Sequence, residues 1–394
     1  MLPKDWKKST VGAECSIKNN LRFPINTIQR QTMKGIYPYF GPTGVIGYID
    51  HYRIDEEFAV IGEDGDHFLK FRDKPMTLHF QGKANVNNHA HIIGESESCS
   101  TKWFYYWFMN RDLSAALSRQ GVGRYKLTKK SLEDLEIWIP PKKEQLDIVR
   151  ILSTWEKSIE LKERLLINSR KKMKTLLHKM LIKPALKGKW PMMSISEISD
   201  RVQRRIDSDE VLPILMISSG SGFVRQDKKY SRFMAGKSLD NYINLRKGEF
   251  AYNKGNSKRY EYGCIYPLNS QEQGLVPHVY VCFRLNEYCI SGFFENLFSA
   301  DFLHDQLGAL VNTGVRNNGL LNIKSQDFLA CKVPVPSIDE QMRIAETLSV
   351  SIKWIEIQEK AIENLKQEKK ALMTMLLTGK RRVNLSNIKT ETDA

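Results

Sequence analysis

Two long stretches of the chain carry apolar residues at steps of three and four, the pattern of helices that bury one side. The first follows Pro140-Pro141 and reaches Leu181, and the second follows Pro336 and reaches Leu377. This spacing predicts two helices, each about 55–60 Å long, that pack as a coiled coil. The two predicted apolar seams are Ile148, Leu152, Trp155, Ile159, Leu166, Met173, Leu177 and Met180, and Ile344, Leu348, Ile355, Ile362, Leu365, Met373 and Leu376.

The two stretches are copies of one another. Glu144-Gln145 and Glu340-Gln341 lie 196 residues apart, and the same offset relates the two helices without a gap. Because neither apolar face is stable when exposed to water, we expect the copies to pack on each other. An antiparallel pair would return the end of the second copy to the start of the chain near Trp6. The repeat therefore predicts an antiparallel coiled coil, a pseudo-two-fold internal repeat and a nearly circular path of the chain.

The segments that precede the helices contain short strand-like runs and do not resemble each other in sequence. Strands are predicted at 36–40, 45–49, 212–217, 250–252 and 279–283. More helical stretches are predicted at 103–119 and 294–311, each followed by a Gly-Val turn at 121–122 and 314–315. The fold class is predicted as α+β, with two mixed α/β domains separated by the two long helices. The predicted divisions are 1–141, 142–189, 190–335, 336–382 and a tail at 383–394.

Composition favours an ordinary cytoplasmic globular protein. Of the 394 residues 41% are hydrophobic, and no apolar run is long enough for a membrane span. The first residues contain no apolar signal core, and the six cysteines form no Cys-x-x-Cys pair. We therefore expect no membrane association, no structural zinc and no disulfide framework.

The charge balance favours a polyanionic partner. The chain has 60 basic and 45 acidic residues, a formal net charge of +15. Nucleic acid is the first candidate for such a partner, although a basic surface can also serve solubility alone.

Motifs for catalysis or metal binding are weak or missing. The segment 231–238 approaches a phosphate-binding loop, but Ser231 replaces its first glycine. A dinucleotide-binding glycine motif and the Asn/Asp-Pro-Pro-aromatic tetrad of adenine methyltransferases are both absent from the sequence. His89 and His91 lack a third ligand nearby, and segment 62–66 lacks the spacing of a calcium loop. The chain is predicted to be non-catalytic, with no catalytic residue and no metal site.

Polar, basic and aromatic loops point to DNA binding. Asparagine and glutamine amides can pair with adenine edges and arginines with guanine, while lysines contact phosphates. Any single residue is better explained as part of a solvated loop, so the interpretation rests on the clusters taken together. The candidate DNA-binding residues are Gln29, Arg30, Lys34, Tyr39, Thr43, Asn87, Asn88 and His89 in the first domain, and Arg225, Lys228, Lys229, Asn253, Lys254, Asn256, Lys258 and Arg259 in the second.

These features together resemble the specificity subunit of type I restriction-modification enzymes. In that family two target-recognition domains alternate with two helical regions that open with a proline and Glu-Gln. The regions close near Leu-Leu-Thr-Gly-Lys-Arg, and segment 376–382 of this chain has that pattern. The first copy departs from it, because segment 181–189 replaces the short Gly-Lys ending. Segments 37–41 and 87–91 are similar to one class of recognition domain, and 241–242 and 248–253 to another.

The resemblance implies a DNA-binding subunit without catalytic activity. Each recognition domain would read one half of a bipartite, asymmetric site in double-stranded DNA, and the helices would set the spacer. Two modification (methyltransferase) subunits would dock on the helices, and restriction subunits with translocase activity would join them. S-adenosylmethionine, ATP and Mg would belong to those partners, so no cofactor is expected on this chain.

Two other functions remain compatible with the residues alone. A coiled-coil adaptor without DNA specificity would use its basic charge to bind acidic proteins. A nuclease or methyltransferase would need a site that the sequence does not reveal.

Overall fold

The computed structural model describes residues 2–119, 125–206, 212–229, 241–255, 257–311 and 321–383. The predicted turns at 121–122 and 314–315 and the loop-like segment 231–238 therefore lie outside the described residues. The chain divides into two compact units, Met1–Lys162 with Ala361–Ala394, and Glu163–Lys360. Each unit contains one α+β domain and parts of both long helices.

The first domain is built on a six-stranded sheet in the order β2-β7-β5-β6-β3-β4, with β3 and β6 parallel and the other neighbours antiparallel. Its strands are β1 (Lys7–Thr10), β2 (Ser16–Ile17), β3 (Lys34–Gly41), β4 (Gly44–Ile49), β5 (Ile54–Gly62), β6 (Thr77–Val86), β7 (Ala90–Gly94), β8 (Ser118–Arg119), β9 (Tyr125–Lys126) and β10 (Glu136–Ile139). Its helices are α1 (Val11–Glu14), α2 (Thr27–Thr32), α3 (Thr101–Phe108) and α4 (Lys129–Glu133), with 3-10 turns at Asn19–Leu21, His67–Lys70 and Ser114–Ala116.

The second domain has smaller sheets. A four-stranded sheet has the order β12-β19-β16-β17, and β13-β14, β15-β18 and β11-β20 form pairs. The strands are β11 (Met192–Ser194), β12 (Ser199–Arg201), β13 (Leu215–Ser218), β14 (Gly222–Arg225), β15 (Ile243–Arg246), β16 (Phe250–Asn253), β17 (Cys264–Pro267), β18 (Gln273–Val276), β19 (Val281–Leu285) and β20 (Lys332–Pro334). The long helix α5 (Lys142–Leu177) and α6 (Lys183–Leu186) precede this domain, and the second long helix α12 (Ile338–Leu377) follows it. The short helices of the domain are α7 (Ile195–Ile198), α8 (Gln226–Lys229), α9 (Ser291–Ser299), α10 (His304–Leu310) and α11 (Ser325–Leu329).

The long helices are antiparallel, as the repeat predicts. In the first unit the start of α5 packs against the end of α12, where Ile148 and Leu152 share a core with Met373 and Leu376. Lys369 Nζ also lies 2.6 Å from Glu156 Oε1 there. In the second unit the end of α5 packs against the start of α12 instead. Met173, Leu176 and Leu177 of α5, with Met180 and Leu181 of the turn that follows it, share a core with Ile344 and Leu348.

Helix α5 does not end as regularly as its copy. A π-helical turn at His178–Ile182 leads into α6, which has Pro184 in its first turn. Proline cannot donate a backbone hydrogen bond, and its ring clashes with the carbonyl four residues earlier. The wider turn accommodates this clash while the chain remains helical. This segment is the one in which the sequence departs from the family pattern.

The helical stretches predicted inside the domains are shorter than expected. The prediction of helix over 103–119 is wrong beyond Phe108, because side chains there bind the backbone and compete with helical bonds. Arg111 Nε donates to the Trp107 carbonyl at 2.8 Å, and Asp112 Oδ1 accepts from the Ser114 N–H at 3.0 Å. The stretch 294–311 is two helices, separated at Asp301, whose φ of 56° no α-helix allows.

The Glu-Gln pair of each copy joins a domain to its long helix by the same contacts. Gln145 Oε1 accepts the Ser100 N–H at 3.0 Å, and its Nε2 donates to the Ser98 and Pro140 carbonyls at 2.6 and 3.0 Å. Ser100 is the N-cap of α3. The side chain of Gln145 is completely buried. It therefore fixes the start of α5 against the start of α3.

Gln341 repeats these contacts in the second unit. Its Oε1 accepts the Ile290 N–H at 2.8 Å, and its Nε2 donates to the Tyr288 and Pro336 carbonyls at 3.1 and 2.9 Å. Ile290 is the N-cap of α9, so Gln341 binds the N-cap residue of a domain helix just as Gln145 does. The two domains thus share a joint that sequence comparison of the variable segments does not show.

The glutamates of the two pairs hold the tryptophans that open the domains. Trp6 Nε1 donates to Glu144 Oε2, and Trp190 Nε1 donates to Glu340 Oε2, both at 2.9 Å. Beyond each tryptophan, the first strand pairs with the last strand of the domain, β1 with β10 and β11 with β20. We name the tryptophan, the Glu-Gln pair and this two-stranded ribbon the domain joint.

The end of α12 closes the first domain joint without a covalent link. Arg382 Nε and Nη2 lie 2.7 and 2.9 Å from the Glu144 carboxylate, and Nη1 and Nη2 lie 2.8 and 2.6 Å from Asp5. Gly379 has a φ of 68°, and a Cβ on it would lie 2.5 Å from Pro3 Cγ. The predicted return of the second helix to the chain start is therefore confirmed.

Candidate nucleic-acid interface

The first domain presents cations stacked on aromatic rings. Arg53 Cζ lies 4.3 Å from the centroid of the Phe23 ring, and Lys83 Nζ lies 4.6 Å from that of Tyr52. A cation over a ring is held in place while its charge stays accessible. Sequence reasoning missed these four residues. The pairing of β5 with β6, which sets Asp55 opposite Lys83, brings the start of β5 next to a distant part of the chain. Such layers suit a partner that carries both negative charge and flat bases.

Helix α2 places Arg30 beside the hairpin of β3 and β4. Asn26 and Gln29 form a capping box, in which Gln29 Oε1 accepts the Asn26 N–H at 3.0 Å. The carbonyl oxygen of the Gln29 amide therefore already accepts one hydrogen bond at the helix start. A Cβ at position 47 would lie 3.0 Å from Arg30 Cδ, so Gly47 lets the arginine side chain cross β4. Lys34 and Thr43 are exposed on the same hairpin.

Tyr39 of β3 is buried and forms hydrogen bonds with the loop before α2. Its side chain is 1% exposed, and its hydroxyl donates to the Phe23 carbonyl at 2.6 Å and accepts the Ile25 N–H at 3.2 Å. Burial raises the pKa of the Tyr39 hydroxyl. The predicted candidate Tyr39 is thus part of the core, where it orients the loop that leads into α2.

The turn between β6 and β7 carries three more candidates. Asn87 is buried and accepts the His89 N–H at 2.9 Å, which shapes the turn. Asn88 and His89 are exposed, and His89 Nδ1 lies 2.8 Å from Asp64 Oδ2. The exposed amide and imidazole are therefore presented by a turn that Asn87 holds in shape.

A buried histidine below this turn must be neutral. His91 Nε2 lies 2.7 Å from the Leu127 carbonyl, so this nitrogen carries the proton. Nδ1 then accepts from Arg22 Nη2 at 2.7 Å and Asn19 Nδ2 at 3.0 Å. Glu63, 2.8 Å from Arg22 Nη1, balances the arginine charge. Protonation of His91 would turn its acceptor into a donor facing a cation.

We expect the first unit to lose stability in mild acid. Burial holds the pKa of His91, His67 and His79 below that of a free histidine. The unfolded state therefore binds more protons near pH 5.5–6.5, so unfolding becomes easier as the pH falls below about 6.5. Thermal unfolding at pH 7.5 and 5.5 should show a lower midpoint at pH 5.5, and His91→Gln should reduce this difference. An unchanged or higher midpoint in acid would contradict the neutral assignment.

Several candidates of the second domain already form hydrogen bonds within the domain. Arg225 forms a two-bond pair with Asp227, at 3.1 and 2.6 Å, so its guanidinium is occupied within the turn. Lys254 Nζ donates to the Ile323 carbonyl at 2.6 Å, and Asn253 Oδ1 accepts the Gly255 N–H at 3.0 Å.

Lys258 and Arg259 are exposed, and Arg259 Cζ lies 5.4 Å from the Tyr260 ring. Asn256 and the side chains of Lys228 and Lys229 lie outside the described residues.

An apolar groove lies on the helices of the first unit. It has a volume of about 570 Å³. Ile151 and Trp155 of α5 line one side, and Leu372 and Met375 of α12 line the other. A groove between two helices offers spaced pockets to a third amphipathic helix.

The described part of the chain contains neither a membrane span nor a cluster of metal ligands. None of the described helices combines the length and apolarity needed to span a membrane. Within the same residues, no three histidine, cysteine, aspartate or glutamate side chains converge as metal ligands.

The first part of the chain matches the model of a described family. Residues 3–168 match the family model of the type I restriction modification DNA specificity domain. A putative type I restriction enzyme specificity subunit of Haemophilus influenzae is 32% identical over 148 residues, which are 38% of this chain and 36% of that protein. The chain thus aligns with about a third of the length of this relative.

A second relative and a solved structure match nearly the whole chain. The MjaVIII specificity subunit of Methanocaldococcus jannaschii is 23% identical over an alignment that covers 98% of this chain and 95% of that protein. The crystal structure of a type I restriction-modification S subunit from M. genitalium has a TM-score of 0.61 at 15% identity, and covers 95% of this chain and 97% of that one. The fold is therefore shared over both domains and both helices.

Proposed function

Because the chain belongs to the family of type I restriction-modification specificity subunits, we propose that it reads DNA through two unlike domains on one helical scaffold. The residues assigned to the readers are 1–141 and 190–335, and those assigned to the scaffold are 142–189 and 336–382, with a tail at 383–394. Each reader would recognise one half of a bipartite, asymmetric site in double-stranded DNA. The helices would set the spacer between the halves.

One observation carries this proposal. The domain joints are built alike in both units, down to the hydrogen bonds of Gln145 and Gln341, while the sheets they support differ. Domain joints that are alike, with sheets that differ, are expected when different recognition domains attach to the same helical scaffold. From the sequence, we assign DNA contacts to the half-buried Arg30 and to the exposed Lys34, Thr43, Asn88, His89, Lys258 and Arg259. The structure adds Arg53 and Lys83.

The chemistry of the complex would lie in its partners. Two modification subunits that bind S-adenosylmethionine would dock on the helices, and the groove at Trp155 supports one such contact. Restriction subunits that use ATP and Mg would complete the assembly, in the cytoplasm where the chromosome is accessible.

Exchange of residues 190–335 for the matching domain of a relative tests the proposal. Co-expression with the modification subunits, followed by mapping of methylated sites across the genome, should show a change in one half of the site only. The unexchanged chain is the matched control. A change in both halves, or in neither, would mean that the domains do not read independently. Methylation by the purified chain alone would instead favour an enzyme.

A further inference from the structure

The hairpin formed by β3 and β4 exposes large apolar side chains. Ile36 is 78% exposed, Tyr48 57%, Val45 43% and Ile46 42%. Each exposed apolar group is unfavourable in water, at about 25 cal/mol per Å². Four such groups on one hairpin indicate a surface that is covered when the protein functions.

Two of these side chains lie near each other along the hairpin. Tyr48 is the cross-strand partner of Pro38, and Ile36 lies in the irregular segment between Lys34 and Tyr37, both of which oppose Ile49, the neighbour of Tyr48. Strand β4 is the edge of the six-stranded sheet, so no further strand covers it in the described domain. The buried Phe40 and Ile49 anchor the other side of the hairpin. Ile36 and Tyr48 thus lie on one hairpin, and both side chains are exposed.

The charges around the hairpin indicate what covers it. Lys34 begins β3, and Arg30 crosses β4 at Gly47. The centroid of the Tyr37 ring is 5.0 Å from that of the Tyr52 ring, and the Lys83 ammonium lies over the Tyr52 ring. A partner that fits this hairpin would place negative charges next to the surrounding lysines and arginine. It would place isolated apolar groups against the exposed apolar side chains. The major groove of DNA has both properties, since phosphates border it and thymine methyl groups project into it.

We propose that this hairpin enters the major groove as a two-stranded ribbon and that Ile36 and Tyr48 contact the 5-methyl groups of thymines. The major groove is wide enough for a two-stranded ribbon. This inference rests on the proposed function and deepens it, because it names apolar residues as specificity determinants of the first half-site. It also predicts that this half-site contains thymine at one or two contacted positions.

Deoxyuridine substitution tests this contact directly, since uracil pairs like thymine but lacks the methyl group. The full chain is assembled with its modification subunits, and its half-sites are first identified by methylation mapping. Duplexes then carry deoxyuridine at each thymine of the half-site that remains unchanged when residues 190–335 are exchanged. At the contacted position the wild-type complex should bind about fourfold more weakly, the effect of one lost methyl contact.

Ile36→Ala and Tyr48→Ala should remove this discrimination, so that thymine and uracil duplexes bind equally. Leu69→Ala is the matched control, because Leu69 is 52% exposed in the same domain but lies on the 3-10 turn at His67–Lys70. It should retain the discrimination. Since Ile36 is exposed, its replacement is not expected to unfold the domain, and a thermal melt verifies this.

Three results would overturn the inference. Specific binding by the wild type that ignores every thymine-to-uracil change would do so while leaving the proposed function intact. So would an Ile36→Ala variant that keeps the discrimination but no longer binds modification subunits, because the hairpin would then dock protein. A half-site without thymine would have the same consequence. Wild-type binding without any sequence preference would instead refute the proposed function itself.

Discussion

Replacing Gln341 with leucine should lower the free energy of unfolding of the second unit by about 3–5 kcal/mol, since each unpaired buried polar group costs about 1–3 kcal/mol. Leucine fills a similar volume but leaves the Ile290 N–H and the carbonyls of Tyr288 and Pro336 without this partner. Gln341 is completely buried, so water does not easily replace the lost bonds. Urea denaturation followed by circular dichroism should show the transition at a lower urea concentration.

Two variants separate the contribution of the hydrogen bonds from that of helix propensity. Gln341→Glu keeps an acceptor for the Ile290 N–H but loses both donors, so a carboxylate would face two carbonyls. It should be at least as destabilising as the leucine variant. Gln367→Leu is the control on the same helix, because Gln367 is exposed and bonds only to Glu363. If Gln367→Leu were as destabilising as Gln341→Leu, the joint would not be the cause.

Replacing Arg382 with alanine should destabilise the first unit by about 2–3 kcal/mol, as expected for loss of charge-assisted hydrogen bonds to a buried carboxylate. The Glu144 side chain is 8% exposed and would keep only the bond from Trp6 among those described. The start of the chain would also lose its pairing through Asp5, whose pKa the Arg382 hydrogen bond lowers. Hydrogen exchange should therefore rise at the amide of Trp6, which bonds to the Pro3 carbonyl.

The second unit offers the matched control for this prediction. Lys189 Nζ lies 2.6 Å from Glu340 Oε1 and takes the position of Arg382, but the chain continues covalently into Trp190. Lys189→Ala should therefore be milder than Arg382→Ala, because the backbone already holds residue 189 next to Trp190, which keeps its own bond to Glu340. Arg382→Lys should be intermediate, since an ammonium cannot bind two carboxylates in the planar, two-pronged way of a guanidinium. Equal effects of Lys189→Ala and Arg382→Ala would show that closure of the chain contributes nothing.

The long helices could be predicted because their information is local and repeated. An apolar residue every three or four positions defines a face, and two such faces at a constant offset require each other. The candidate DNA residues were harder to assess from sequence. Tyr39, in a predicted strand, and Asn87, in a polar segment, were both candidate DNA contacts, yet the structure buries both. Burial depends on which distant strands pair, and no local pattern reports that.

The repeat itself is determined by the sequence alone, and the two antiparallel helices could be predicted from it. Each follows from periodicity within one segment or from identity between two. Only the tertiary structure decided what the Glu-Gln pair does, because its partners Ser100 and Ile290 lie 45 and 51 residues away. It also decided that Arg53, Lys83, Ile36 and Tyr48 share one domain surface. Such neighbours arise from strand register and side-chain burial, which long-range packing sets and the order of residues shows only indirectly.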